Sequence, residues 1–353
     1  MIIFVALLLV LSLYQCKPLL NRGFYADYAS RDQSRAINGI CIVLILFSHT
    51  FAKVAPNGVF DQLYAPMRVF LGQFVVVPFL FYSGYGMMES LTKKEGYLKT
   101  FPKKRFLKIA VQFAIITVVY MLMHLCLQSK YSIPHMLLSF VGITSIGNGG
   151  WYMLSIFFFY AAILVWFSIC KHRKVLAVFL VTGSIVALMA VEVLLKLPSY
   201  YYNTVIFFAV GMFYSLLKKP FDRLVMKNNV IWGAVFLVSL LGFCFLKRAT
   251  AVSVLFYPVW CGFGMLAILC LTMKVRIQNK ALIWLGTTVF FNFTLQGIPQ
   301  IIFSKYLTNN YVIYLLVIVT TLLLTAGGYF VLERKFMGNK REINGIQMNK
   351  TEK

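Results

Sequence analysis

Apolar stretches of roughly 18 to 25 residues, the length a helix needs to cross a hydrocarbon layer, recur along the whole chain and are separated by short basic connections. They fall at 37–54, 67–91, 106–127, 150–170, 174–196, 200–217, 230–247, 251–273, 281–304 and 311–332. In lipid every backbone N–H and C=O must be satisfied within the structure, which leaves helices and closed barrels, and runs of this length belong to helices. The pattern predicts an all-α fold, a polytopic transmembrane helical bundle of about ten core spans. Residues 1–16 add a short N-terminal hydrophobic helix without the basic start or small-residue cleavage site of a secretory signal. The expected division is 1–22 for that helix, 30–336 for the membrane domain and 337–353 for a basic tail.

Composition agrees and removes alternatives. With 60% hydrophobic and 12% charged residues, the chain cannot clothe a soluble globule in polar side chains, and no stretch is polar enough for a separate soluble domain. A formal charge of +24 raises the question of nucleic acid, but the placement of the basic residues answers it. Of the 34 Lys and Arg, 27 lie in alternate connections, at 17–35, 93–108, 171–174, 218–227, 274–280 and 334–353. Such a bias marks those connections as cytoplasmic, so no nucleic-acid partner is implied. The expected topology is a multi-pass plasma-membrane (cell-membrane) protein with an outer amino terminus and a cytoplasmic carboxyl terminus, its basic face favouring anionic membrane lipids or an anionic cosubstrate. Seven cysteines show no CxxC or Cys/His ligand spacing, so they read as packing residues and no metal is implied.

The stretch Ser30 to Phe51 concentrates the candidate chemistry. Arginines alternate with polar residues, an apolar run begins at Ile37, and His49 stands inside that run. A helical rise of about 1.5 Å per residue puts His49 roughly 18 Å beyond Ile37, inside a layer about 30 Å thick. An ionisable group there is costly and is a functional candidate, with a hydrogen-bonded packing residue as the alternative. His124, His135 and His172 sit near span ends or in connections and read as interfacial. Asn292 and Gln296 are four apart on one helix face, able to bond His49 or an acceptor, or to join two helices. Glu192 falls near the end of its span, where Lys196 can satisfy it. In the longest outer connection, Gln128 to Gly149, a short apolar piece and the glycines before Trp151 suggest an interfacial or re-entrant segment with a tight reversal.

Several motifs resemble the acyltransferase-3 family. They are Gly39 ten residues before His49 with an apolar run between, FLFYSGYG at 79–86, WLGTTVFFNFTLQG from Trp284 to Gly297, and ERKF from Glu333 to Phe336. The resemblance implies an integral membrane O-acyltransferase that uses acetyl-CoA as cosubstrate and acetylates a glycan or lipid-linked sugar, without a metal. It implies that His49 is the general base, a role that suits imidazole because its pKa lies near neutrality. Where the family has Arg eleven residues before the His, this chain has Asn38, with Arg35 one turn earlier, so Arg35 and Asn38 fall in the donor-binding role. Lys104 and Lys108, with Arg105 between, match a family R-x-x-x-R element and share a helix face toward a donor diphosphate. Ser83 becomes a pocket residue, and no GxSxG elbow supplies a nucleophile. The alternative from another class is a transporter or flippase of a lipid-linked or acylated glycan with His49 as proton relay, although no internal repeat is evident.

Overall fold

The computed structural model describes residues 1–19 and 23–333. The expected tail at 337–353, Arg22, and the last three residues of ERKF therefore lie outside the described residues. The helices are α1 (Ile2–Leu13), α2 (Arg31–Phe51), α3 (Val59–Leu71), α4 (Val77–Lys93), α5 (Tyr97–Phe101), α6 (Lys108–Cys126), α7 (Ile133–Leu138) and α8 (Gly150–Cys170). They continue with α9 (Lys174–Leu194), α10 (Phe207–Val225), α11 (Asn229–Phe245), α12 (Phe256–Lys274), α13 (Lys280–Thr287), α14 (Val289–Leu295), α15 (Gly297–Tyr306) and α16 (Asn310–Gly328). Polar side chains start several of them. Ser30 accepts from the Gln33 N–H at the head of α2, and Asn228, Asn279 and Asn309 cap α11, α13 and α16 in the same way.

The all-α bundle is as the hydrophobic pattern predicts, with corrections to its spans. By length and composition seven helical segments can cross a membrane among the described residues, or eight if one bent pair is taken as a single span. That pair replaces the expected straight span at 281–304, for α13 and the α14–α15 segment meet at 67°. The expected span at 200–217 begins later, at Phe207, and runs on through Lys218, Lys219, Asp222 and Arg223. The helix at 229–245 has only 17 residues. At 67–91 the helix is interrupted, because Gly72 takes φ +47 and separates α3 from α4. A two-stranded antiparallel ribbon, β1 (Cys16–Pro18) with β2 (Val275–Ile277), was not expected and ties two basic connections together.

Two helix pairs approach so closely that only glycine fits between them. A Cβ on Gly286 would lie 1.8 Å from the Arg35 carbonyl oxygen, and one on Gly39 2.1 Å from that of Leu282, which locks α13 against the first half of α2. Gly84 meets the Phe208 carbonyl and Gly211 that of Phe81 in the same manner, joining α4 to α10. Small residues at such crossings are how helices associate where lipid removes the hydrophobic drive. Leu122, Leu237, Leu241 and Leu323 remain exposed on outward faces, as a lipid-facing surface requires.

The contacts sort the connections into two ends. At one end the β1–β2 ribbon, the Gln33 side-chain bonds to the Ile277 backbone, the Arg276–Asp27 pair and the Lys108–Glu333 pair gather the basic connections. At the other, Asp61 binds the Met1 ammonium at 2.9 Å and accepts from Asn310 and Tyr314, while Gln73 reaches the Tyr200 carbonyl and Lys305 that of Leu127. The first is called here the Arg35 end and the second the His49 end.

Candidate functional site

Helix α2 links both ends, and His49 lies in its last turn, so the imidazole is exposed at the His49 end instead of sealed at mid-bundle. It lines a cavity of about 230 Å³ together with Lys53, Ser145, Trp151, Phe293, Gln296 and Gln300. The Phe293 ring packs 6.3 Å from the imidazole, and among the described residues neither ring nitrogen has a hydrogen-bond partner. Arg68 and Lys53 are its charged neighbours. The Arg68 guanidinium is anchored, its Nε donating at 3.1 Å to both the carbonyl and the hydroxyl of Ser48.

The floor of the cavity comes from the bent segment. Gln296, at the α14–α15 junction, donates one amide hydrogen to the Phe293 carbonyl at 3.1 Å and keeps its Oε1 buried without a partner. Gln300, one turn on, donates to the Thr50 hydroxyl at 3.1 Å and fixes α15 against the end of α2. Asn292 shares the stride but lies deeper, fully buried, with both side-chain polar atoms unpartnered.

The wall is the connection before α8, as its glycines suggested. Gly147 and Gly149 have φ of +102 and +75, and a Cβ on Gly149 would collide with the Phe293 ring at 2.5 Å. Asn148 donates to the Thr117 hydroxyl at 3.0 Å. His124 holds this loop from α6: its Nε2 donates to the Ile146 carbonyl at 2.8 Å, and its Nδ1 lies 2.9 Å from the Ser129 hydroxyl. His124 is thus the buried, satisfied histidine, and His49 the unengaged one.

The remaining candidates lie toward the Arg35 end. Arg35 is partly exposed and 3.7 Å from Asp32, with Tyr329 within electrostatic reach. Asn38 keeps a buried Oδ1 without a partner. Lys104 and Arg105 sit in a π-helical turn at 102–107, the former exposed and the latter facing Tyr97 and Tyr160. Ser83 on α4 and Arg105 of the basic turn both lie within electrostatic reach of that same Tyr160. Lys108 is already engaged: it pairs with Glu333, whose other oxygen accepts from Gln112 at 3.2 Å. Glu192 is not satisfied by Lys196, since both its carboxylate oxygens lack partners. Between the two ends Tyr82, Thr321 and Thr325 join Asn38 Oδ1 and Asn292 as buried polar groups without a partner among the described residues. So many orphaned groups in one bundle call for a ligand or ordered water to satisfy them.

Lys53, Ser145, Trp151 and Gln300 were not among the sequence candidates. Lys53 stands four residues after His49 and Gln300 four after Gln296, so the helical stride carried a signal for both.

No curated protein and no solved structure gives a match to this chain. A family model described as an acyltransferase domain matches residues 35–333, from the arginine before the apolar run of α2 to the glutamate that pairs with Lys108. A match over that span, on a bundle of membrane-length helices, shows that the chain belongs to the acyltransferase-3 family and is a membrane acyltransferase.

Proposed function

We propose that the protein is an O-acetyltransferase of the plasma membrane that takes acetyl from cytoplasmic acetyl-CoA at the Arg35 end and delivers it at the His49 end to a hydroxyl of a surface or secreted glycan. What carries this reading is the arrangement along α2. An unengaged imidazole opens into a cavity at one end, cationic side chains stand at the other, and orphaned buried polar groups lie between. Arg35 and His49 are fourteen residues apart, about 21 Å of helix, a distance suited to an extended acyl-pantetheine arm. With Lys108 matched by Glu333, the diphosphate of the donor falls to Arg35, Lys104 and Arg105, and Asn38 and Asn292 supply hydrogen bonds along the arm.

In the reaction, neutral His49 accepts the proton of the acceptor hydroxyl as its oxygen attacks the thioester carbonyl. Donors on Lys53 and the second amide hydrogen of Gln296 are placed to stabilise the oxyanion. The C–S bond then breaks, and the imidazolium returns its proton to the departing thiolate.

The test is thiol release from acetyl-CoA by the full chain in nanodiscs with a panel of glycans. His49→Gln retains a hydrogen-bonding side chain but cannot take the proton, and it is expected to lose about 10² to 10⁴-fold in rate. His124→Gln, which disturbs only the loop anchor, is expected to lower thermal stability with a much smaller loss of rate. Near-normal turnover by a well-expressed His49→Gln protein would remove the base, and absence of thiol release with every acceptor would favour the transporter alternative.

A further inference from the structure

The His49 cavity does not end at His49. Beyond it lies a second cavity of about 430 Å³, lined by Lys53, His124, Ser129, Lys130, Tyr131, Gly147 and Ile301. Lys53, Gly147 and Ile301 line both, so the two spaces adjoin across the rim of the loop that His124 anchors. The larger space falls within the roughly 300–1,000 Å³ typical of small-ligand pockets.

Its charge is one-sided. Lys53 and Lys130 border the joined space, and among the described residues no Asp or Glu lines either part. Neither lysine has an ion-pair or hydrogen-bond partner for its ammonium among the described residues. Two further cations stand close by: Arg68 against Ser48, and Lys305, whose Nζ donates to the Leu127 carbonyl at 3.0 Å. The carboxylates of this end do not compensate them, since Asp61 is enclosed by Met1, Asn57, Asn310 and Tyr314, and Glu192 is buried in α9. At the Arg35 end Lys93, Lys108, Lys218 and Arg276 are each matched to a carboxylate, and among the described residues Lys104 and Arg105 are not. A cleft with apolar walls and charge of one sign focuses its field on an incoming ligand of the other sign. Trp151 lines the first space and Tyr131, stacked on His135, the second, so aromatic rings as well as lysines border the joined space.

We infer that the acceptor is anionic: a glycan whose acylated unit, or the unit beside it, bears a carboxylate or a phosphodiester that Lys53 and Lys130 hold while the neighbouring hydroxyl faces His49. This rests on the acyl-transfer reading for the role of His49 but not for the binding of the anion. The first space positions the hydroxyl, and the second takes the charged group.

The experiment measures equilibrium binding and acetyl-CoA thiol release in parallel, with the full chain in nanodiscs of neutral lipid. The probes are a uronate-containing oligosaccharide and its methyl ester, and a phosphodiester-linked oligosaccharide and its neutral glycosidic counterpart. At least one charged member is expected to bind about tenfold more tightly than its neutral partner, the combined effect of two solvent-accessible ion pairs. The preferred pair identifies the anion. That ratio is expected to fall toward one in Lys53→Gln plus Lys130→Gln, and to shrink as salt rises. Equal binding within both pairs, no binding by either charged probe, or a ratio unchanged in the double variant would each overturn the inference. A lysine effect seen only after anionic lipid is added, and equal for charged and neutral probes, would assign the lysines to lipid headgroups and also overturn it. Charge-selective binding without thiol release from any probe would leave the anion site standing and remove the acyl-transfer reading instead.

Discussion

The α4–α10 crossing offers a matched pair of substitutions that separates packing from catalysis in the FYSG segment. Gly84 and Gly86 are two residues apart on one helix, so each gains the same intrinsic benefit on replacement by Ala, about 1 kcal/mol of helix propensity. Their surroundings differ completely. A Cβ on Gly84 would lie 1.9 Å from the Phe208 carbonyl oxygen, whereas one on Gly86 meets nothing within 4 Å. Relieving the Gly84 collision to a tolerable 3.0 Å requires the helices to part by about 1.1 Å. The shift would loosen the reciprocal contact, since Gly211 rests on the Phe81 carbonyl through the same interface. Overpacking of this kind costs roughly 1–3 kcal/mol, which exceeds the propensity gain, so Gly84→Ala is expected to be destabilising and Gly86→Ala neutral or stabilising. Thermal unfolding of the two purified variants in the same detergent, followed by tryptophan fluorescence, measures the difference. Equal midpoints would refute the close approach of α4 and α10, and a Gly84→Ala protein of normal stability but no activity would move this glycine from packing to the donor path.

Other consequences can be checked alongside it. Lys104→Ala is expected to weaken acetyl-CoA binding in a salt-dependent way. Glu333→Gln leaves Lys108 without its partner and is expected to cost stability on the order of 1 kcal/mol, an unfolding shift with donor affinity retained; a donor affinity that follows Lys108→Ala more than Lys104→Ala would reverse these roles. For orientation, a Cys introduced at Ser132 is expected to react with an impermeant thiol reagent in intact cells and one at Lys94 to remain unlabelled, and the opposite pattern would place the donor end outside.

How far the chain could be read before folding depended on whether a feature was periodic or paired. Apolar runs foretold the bundle because burial in lipid acts on each segment by itself, and His49 stood out because it interrupts such a run. The expected depth of His49 was not met, since α2 ends at Phe51 and leaves the imidazole in its last turn. What escaped notice was set by partners distant in sequence. Lys108 reads as a free donor ligand until Glu333, 225 residues away, is brought against it. Residues 16–18 read as a connector until 275–277 pair with them.

The bend after Thr287 shows why a hydrophobic pattern can mislead about shape and still point to function. From Lys280 to Tyr306 the run is long enough for one span, yet it turns by 67° around Thr288, whose hydroxyl bonds back to the Trp284 carbonyl. Asn292, Gln296 and Gln300 all follow the bend, so it sets the direction of the whole polar stripe. The bend tilts α14 and α15 away from the course of α13, which lies along α2 through Gly286 and Gly39. Gln296 and Gln300 thereby reach the cavity beside His49, while Asn292 stays enclosed with neither polar atom satisfied. The stripe that resembles a polar seam in the sequence runs in the fold from the interior at Asn292 to a cavity floor at Gln296 and Gln300, and the glycines of the LG and QG pairs bracket the turn that aims it. Gly286 holds the first half against Arg35, and Gly297 receives the Gly147 carbonyl, 2.4 Å from where a Cβ would stand. One end of the motif thus packs against the start of α2, and the other against the loop that walls the cavity beside His49.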